Sequence, residues 1–156
     1  MRRLTLAVAL TLVPVLSFLS APSVLSAQAD TSAVMAPIQR LFDGMRAHDS
    51  AMVRSAFAPD TRMVSSSMRT GTPAIESESI DGFVNAVGKP SKDVWDERMH
   101  DPLIHVDDGL AMVWVKYSFY LNDKFSHCGV DAFLLAQDTS GWKILTIGDT
   151  RRREGC

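Results

Sequence analysis

Apolar residues recur along the first half of the chain with a helical period. Val34, Ile38, Leu41, Phe42 and Met45 fall on one stripe, which predicts an amphipathic helix over Ser32 to His48 with Asp43, Arg46 and His48 off the stripe. Pro37 is expected near its first turn, where a missing N–H costs least. Asp49 then caps a shorter helix through Phe57 whose buried side is Met52, Val53, Ala56 and Phe57, and Ala58-Pro59-Asp60 ends it. Arg62 to Met68 reads as a strand with serines at alternate positions, and Arg69 to Ser77 as a loop or a second short strand. Ser79 caps a brief helix, Ile80 to Val87, which turns Ile80, Phe83, Val84 and Val87 inward and stops at Gly88.

From Val94 the period changes to two. Trp95 to Val106 and Leu110 to Leu121 read as strands joined by a tight turn at Asp108-Gly109, with Pro102 marking a bulge or an edge in the first. In the second, Val113, Val115, Tyr117 and Phe119 alternate with Met112, Trp114, Lys116, Ser118 and Tyr120, so the first set is assigned to the core. Asn122-Asp123-Lys124 turns the chain into a final hairpin, Val130 to Gln137 and Trp142 to Ile147, closed by Asp138-Thr139-Ser140-Gly141. A three-residue turn at Asn122 would set Tyr117 opposite Gly129, which leaves room for the ring. Pairing Gln137 with Trp142 places His127, Gly129, Asp131, Phe133 and Leu135 on one face with Trp142, Ile144, Thr146, Gly148 and Thr150. The other face then carries Cys128, Val130, Ala132, Leu134 and Ala136 with Lys143, Leu145, Ile147, Asp149 and Arg151. A slip of one residue would invert this assignment.

The first residues have a different character. Met1-Arg2-Arg3, the apolar run Leu4 to Leu19 and the small residues Ala27-Gln28-Ala29 have the three parts of a secretory leader, cut after Ala29. The mature chain, residues 30–156, is expected to be a single exported domain. Losing Arg2 and Arg3 takes Lys+Arg from 16 to 14 against 18 Asp+Glu. A mildly acidic domain without a basic run is a poor match for nucleic acid. Both cysteines, Cys128 and Cys156, lie in the exported part, and Gly155 lets the tail turn back, so a disulfide between them is open, as are two free thiols. His100, Asp101, His105 and Asp107 have metal-ligand chemistry, but strand alternation sends His100 and His105 to opposite faces, so no metal site is expected. No GxSxG, glycine-rich phosphate loop or Cys-x-x-Cys occurs, which leaves serine hydrolase, nucleotide and thioredoxin-like redox readings without support, and no cofactor is expected.

The order helix, short helix, strand, short helix and four-strand meander, with the segments VMAPIQRLFDGMRAHD, FAPDTRMVS and FSHCGVDAFLLAQDTSGWKILTIGDTRR, resembles the nuclear transport factor 2-like superfamily. Within it, the chain is similar to exported bacterial proteins of the SnoaL-like or lumazine-binding-like kind. The resemblance implies an α+β fold, a cone in which a curved antiparallel sheet wraps a long N-terminal helix around an apolar cavity, commonly paired through its outer sheet face. The face carrying Trp114 and Tyr120 is then a candidate homodimer contact. The superfamily includes ketosteroid isomerases, polyketide cyclases, scytalone dehydratase and members without chemistry, so it fixes no reaction.

The expected function is binding of a small, largely apolar molecule. Its walls would include Phe42, Val115, Tyr117, Phe133, Trp142 and Thr146, with His127 and Asp131 as polar contacts. A second reading is an isomerase, cyclase or dehydratase using His127 or Asp131 as acid–base and Tyr117 as donor to an oxyanion. A third is a dimerising accessory or protein-interaction domain. Trp95, Glu97 and Arg98 are further candidates for the cavity mouth, their facing dependent on the bulge at Pro102.

Overall fold

The computed structural model describes residues 25–68 and 71–156, with side chains from Thr31 onward. Most of the expected leader, residues 1–24, lies outside the described residues. From Leu25 the chain is helical, in the order α1 (Leu25–Ala47), α2 (Ser50–Ser55), β1 (Phe57–Ser67), β2 (Ala74–Ser79), α3 (Ile80–Val87), β3 (Trp95–Asp107), β4 (Leu110–Leu121), β5 (Lys124–Asp138) and β6 (Gly141–Arg151). Among the described residues, no helix is long and apolar enough to cross a membrane.

The strands form one six-stranded sheet in the order β2-β1-β6-β5-β4-β3. The expected meander is its larger part, and β1 joins β6 in parallel, the single parallel pairing among the described strands of an otherwise antiparallel sheet. α1 packs against β3 and β6, so the architecture is the α+β one expected. Its stripe is as read: Val34, Ile38, Leu41, Phe42 and Met45 are all buried, against Val113, Val115, Phe133, Leu135 and Ile144 from the sheet. Each such side chain contributes roughly 1.5–3 kcal/mol through removal from water.

Pro37 lies well inside α1 rather than in its first turn, because the helix starts at Leu25, before the expected Ser32. Its missing N–H leaves the carbonyl of exposed Ala33 without the usual helical partner. Asp49 caps α2 by accepting from Met52 N at 2.8 Å, as read, but Phe57 opens β1 instead of closing the helix. His48, with φ 54°, ends α1 and holds its ring between the carbonyls of Val87 and Asp93. Arg46 fastens the same end of α1 to β3 through Asp96, Nη2 to Oδ1 at 2.7 Å.

Each of the three meander pairings contains one irregularity, and these decide which side chains face inward. Between β3 and β4 the register shifts across Asp101 and Pro102, with Asp101 at φ 51°. That shift puts His105, opposite Met112, on the same outer face as His100, opposite Lys116, so simple alternation was wrong here. Among the described residues no group of three or more His, Cys, Asp or Glu is placed to hold a metal ion. Between β4 and β5 the turn has two residues, Asn122 and Asp123, both at positive φ, and an unpaired Ser126 follows. Tyr117 therefore stands opposite Gly129 as expected, although by a shorter turn and a bulge.

The third irregularity overturns part of the sequence reading. Gln137 pairs with Trp142 and Leu135 with Ile144, but Leu134 pairs with Thr146, which leaves Leu145 as the extra residue. Beyond it the faces of β6 are exchanged relative to strict alternation. Ile147, Asp149 and Arg151 join the inner face, and Thr146 and Thr150 leave it. Cys128 accordingly meets Arg152 rather than Arg151. The bulge is held by Thr61, a buried residue of β1 whose hydroxyl reaches the carbonyls of Ala58 at 2.8 Å and Ile144 at 2.7 Å.

Candidate functional site

The concave side of the sheet and the helices enclose a cavity of about 630 Å³. Its roof is apolar because the stripe of α1 overshoots the core and presents Leu41, Phe42 and Met45, with Phe83 and Ala86 from α3 beside them. Met63, Trp95, Phe119, Phe133 and Ile147 continue this surface on the sheet, and Phe42 meets Phe133 edge to face at 6.3 Å. The polar part comes from the inner positions of four adjacent strands: Glu97 on β3, Tyr117 on β4, His127 and Asp131 on β5, Asp149 and Arg151 on β6. Ser65 of β1 and Glu76, Ser77 and Glu78 of the exposed edge strand β2 complete the lining.

Asp131 is the most buried of the ionisable carboxyls in this lining, 4% exposed. No amide, hydroxyl or cation among the described residues donates to its Oδ2. Its neighbour is the Glu97 carboxyl, within hydrogen-bonding reach, and two carboxyls can be bonded only through a proton held between them. Burial pushes Asp131 well above the usual carboxylate range, and the Glu97 charge pushes it further. Glu97 is pushed up to about 7, chiefly by burial, with the bond to Asp131 pulling the other way and the Asp149 charge adding to the rise. Burial and mutual repulsion therefore favour the protonated form of the pair.

Asp149 has a different environment. It pairs with Arg151, Nε to Oδ2 at 3.0 Å, and accepts a hydrogen bond from Ser65 Oγ. Burial works against the charge on Arg151, but the Asp149 carboxylate outweighs it and holds the guanidinium protonated. Tyr117 donates its hydroxyl hydrogen to the Thr150 carbonyl at 2.9 Å, and burial, then the Glu97 charge, raise its pKa far above that of a free phenol. That hydroxyl has one hydrogen and it is committed. Gly129 makes the arrangement possible: a Cβ there would lie 1.7 Å from the Thr150 oxygen and 2.7 Å from the Tyr117 ring.

His127 stacks on Phe119 at 4.9 Å, stands edge-on to Tyr117 at 5.8 Å, and has Nδ1 3.1 Å from Ser126 Oγ. Burial, and then the Arg151 charge, lower its proton affinity, so the neutral ring is favoured. His127 and Asp131 share a face but are four residues apart on one strand, about 13 Å. The structure thus brings Phe42, Tyr117, His127, Asp131 and Phe133 to one cavity. Of the other expected wall residues, Val115 is core beneath the floor, opposite Asp131, and Trp142 packs on the core near the hairpin turn without lining the cavity. Thr146 faces out, opposite Leu134, for the bulge turns it away.

Asp149 and Arg151 were assigned to the outer face and belong to the inner one. One signal in the sequence was available. Ile144 and Ile147 are both strongly apolar and three apart, a spacing that only a bulged strand buries on one face. Glu97 was named with its facing open; the bulge lies beyond it, so Glu97 and Trp95 face the cavity, while Arg98 turns out to lie 4.1 Å over the Tyr120 ring. At the far end Cys128 and Cys156 form a disulfide that ties the tail to β5.

Comparison with known proteins agrees with this architecture. The structure of a Mycobacterium tuberculosis protein of unknown function superposes with a TM-score of 0.67 at 12% identity, covering 86% of this chain and 78% of that one. A nuclear transport factor 2-like protein with a cystatin-like fold from Novosphingobium aromaticivorans gives 0.63 at 10% identity, covering 85% and 87%. A second structure from that organism, described as a "Putative Scytalone Dehydratase", gives 0.64 at 9% identity, covering 81% and 87%. Identities this low establish the fold alone. No curated protein sequence matches the chain significantly. Residues 29–147 match the family described as "Putative lumazine-binding". With that match spanning most of its length, the chain belongs to this family described as putative lumazine-binding, and its fold is the one seen in nuclear transport factor 2-like proteins.

Proposed function

We propose that this protein is an exported binder of a small, largely apolar molecule, taken into the cavity with its polar end toward Glu97 and Asp131. The observation that carries this reading is the cavity itself, about 630 Å³ with an aromatic and aliphatic wall that ends in two adjacent carboxyls. Export rests on the leader-like residues 1–29, and the Cys128–Cys156 disulfide is compatible with an oxidising compartment. Native mass spectrometry of the protein isolated from its exporting host tests both. A noncovalent adduct that vanishes on denaturation, on a chain beginning near Asp30, is expected. An adduct-free protein that also binds no member of a small-molecule panel would overturn the binding reading, and a chain retaining residues 1–29 would overturn export.

A second reading is an acid–base enzyme. It is favoured by the Glu97 carboxyl, which sits near pH 7 beside a second carboxyl in a cavity, the protonation behaviour a general acid or base requires. In that reading Asp131 and Glu97 would exchange the proton with substrate, His127 would sit at the mouth, and Tyr117 would position β6 instead of stabilising an oxyanion. Turnover that disappears in Glu97→Gln while ligand binding persists would support it.

A further inference from the structure

We infer that the floor of the cavity recognises a protonated amine carried on an apolar, ring-sized body, with the carboxyls of Glu97 and Asp131 as its two acceptors; this deepens the binding reading above and rests on it. The argument is one of missing donors and missing charge. Asp131 is 4% exposed, lines the cavity and has an Oδ2 to which no N–H, hydroxyl or cation among the described residues donates. The groups facing it offer nothing better. Glu97 of β3 brings another acceptor, the Tyr117 hydroxyl of β4 is spent on the Thr150 carbonyl, and α1 and α3 present only apolar side chains.

The one guanidinium of the lining among the described residues, Arg151, is already paired with Asp149, which Ser65 also serves, and His127 is about 13 Å along β5. Glu76 and Glu78 on β2 add further negative charge at the rim. Among the described residues that line the cavity, the Glu97 and Asp131 pair thus has no cation bonded to it, only the charge of Arg151 acting from its pairing with Asp149. What completes it in the empty protein is a proton. An ammonium group supplies what the proton supplies, a positive charge and N–H donors for both carboxyls, while its ring occupies the wall of Phe42, Phe133 and Trp95.

Proton and amine therefore compete for one place. Below the Glu97 midpoint, about pH 7, the bound amine must expel a proton, so its affinity rises with pH. A neutral ligand of the same shape shows no such rise.

Isothermal titration with 2-naphthylmethylamine and with the neutral 2-naphthalenemethanol tests the inference. At pH 8 the amine is expected to bind at least tenfold more tightly than the alcohol, and at pH 5.5 the preference is expected to shrink to threefold or less. At pH 6.5, titrations in two buffers of different ionisation heat are expected to show net proton release on amine binding alone. Glu97→Gln and Asp131→Asn are expected to keep alcohol binding and lose the preference. If the alcohol binds as well as the amine at every pH, or if both variants retain the preference, the amine inference is overturned and the cavity reading stands. If neither probe binds, the amine inference is overturned, and the binding reading is decided by the native adduct and the small-molecule panel. Should Asp131→Asn not fold, Glu97→Gln decides alone.

Discussion

Asp131 and Glu97 make the empty cavity less stable as pH rises. The folded-state value for Glu97 lies above its ordinary 4.5, at about 7, so the native protein binds more protons than the unfolded chain between those values. Stability from this group is complete below pH 4.5 and is lost as pH rises through 7. Urea denaturation is expected to show lower stability at pH 8 than at pH 5, by on the order of 2 kcal/mol. Asp131→Asn is expected to remove most of that slope and to raise stability at pH 8, because an amide can donate to the Glu97 carboxylate; an unchanged slope would show that the carboxyls do not share a proton. Gly129→Ala sets the opposite extreme. With a backbone oxygen 1.7 Å from the added carbon, a loss of about 3 kcal/mol or more is expected, read as a fall in melting temperature. At this scale the sequence was partly legible. Strand alternation put Tyr117, His127 and Asp131 on one face, and Gly129 opposite Tyr117. It did not reveal that the tyrosine hydroxyl is spent on Thr150, since a backbone carbonyl's direction leaves no mark in residue identities.

Among the elements, those whose side chains follow a regular period were legible and the places where the chain breaks that period were not. The stripe of α1, the caps Asp49 and Ser79 and the two-residue turn at Asp108-Gly109 came through directly. Pro102 announced one bulge by its own chemistry. Leu145 gave no such notice, for a leucine fits a bulge and a regular strand equally well, and the assignment of Thr146, Asp149 and Arg151 failed there. The bulge depends on Thr61. Thr61→Val keeps the shape and removes the hydroxyl that reaches the Ala58 and Ile144 carbonyls, so a loss of about 1–2 kcal/mol is expected in denaturant titration. Hydrogen exchange at the amides of Ile144 to Ile147 is expected to accelerate in the same variant. Protection equal to the parent protein would mean that backbone pairing alone maintains the bulge.

At the scale of the molecule, the outer sheet face carries exposed apolar side chains among the described residues. Leu103, Met112, Trp114 and Leu134 are exposed on neighbouring strands, and we propose that a second copy of the chain covers them. Trp114→Glu is expected to shift sedimentation toward a monomer without altering ligand affinity, and an unchanged sedimentation profile would count against this assembly. The disulfide acts on the chain as a whole by closing a loop with sequence separation 28, which predicts a loss of about 3 kcal/mol on reduction, measured by denaturation with and without reductant. The fold was readable at this scale because topology depends on the order of elements. Which chemistry the cavity holds was readable only up to the last bulge. Leu145 therefore has a meaning in coding terms as well. Removal of its single codon would make Thr146 follow Ile144 directly, with Thr146 still opposite Leu134 and Asp149 still opposite Asp131, so the ionic wall would keep its facing without the bulge. For this strand, losing the extra residue straightens the ladder and spares the cavity's chemistry, whereas the same residue taken into a regular ladder would reverse it.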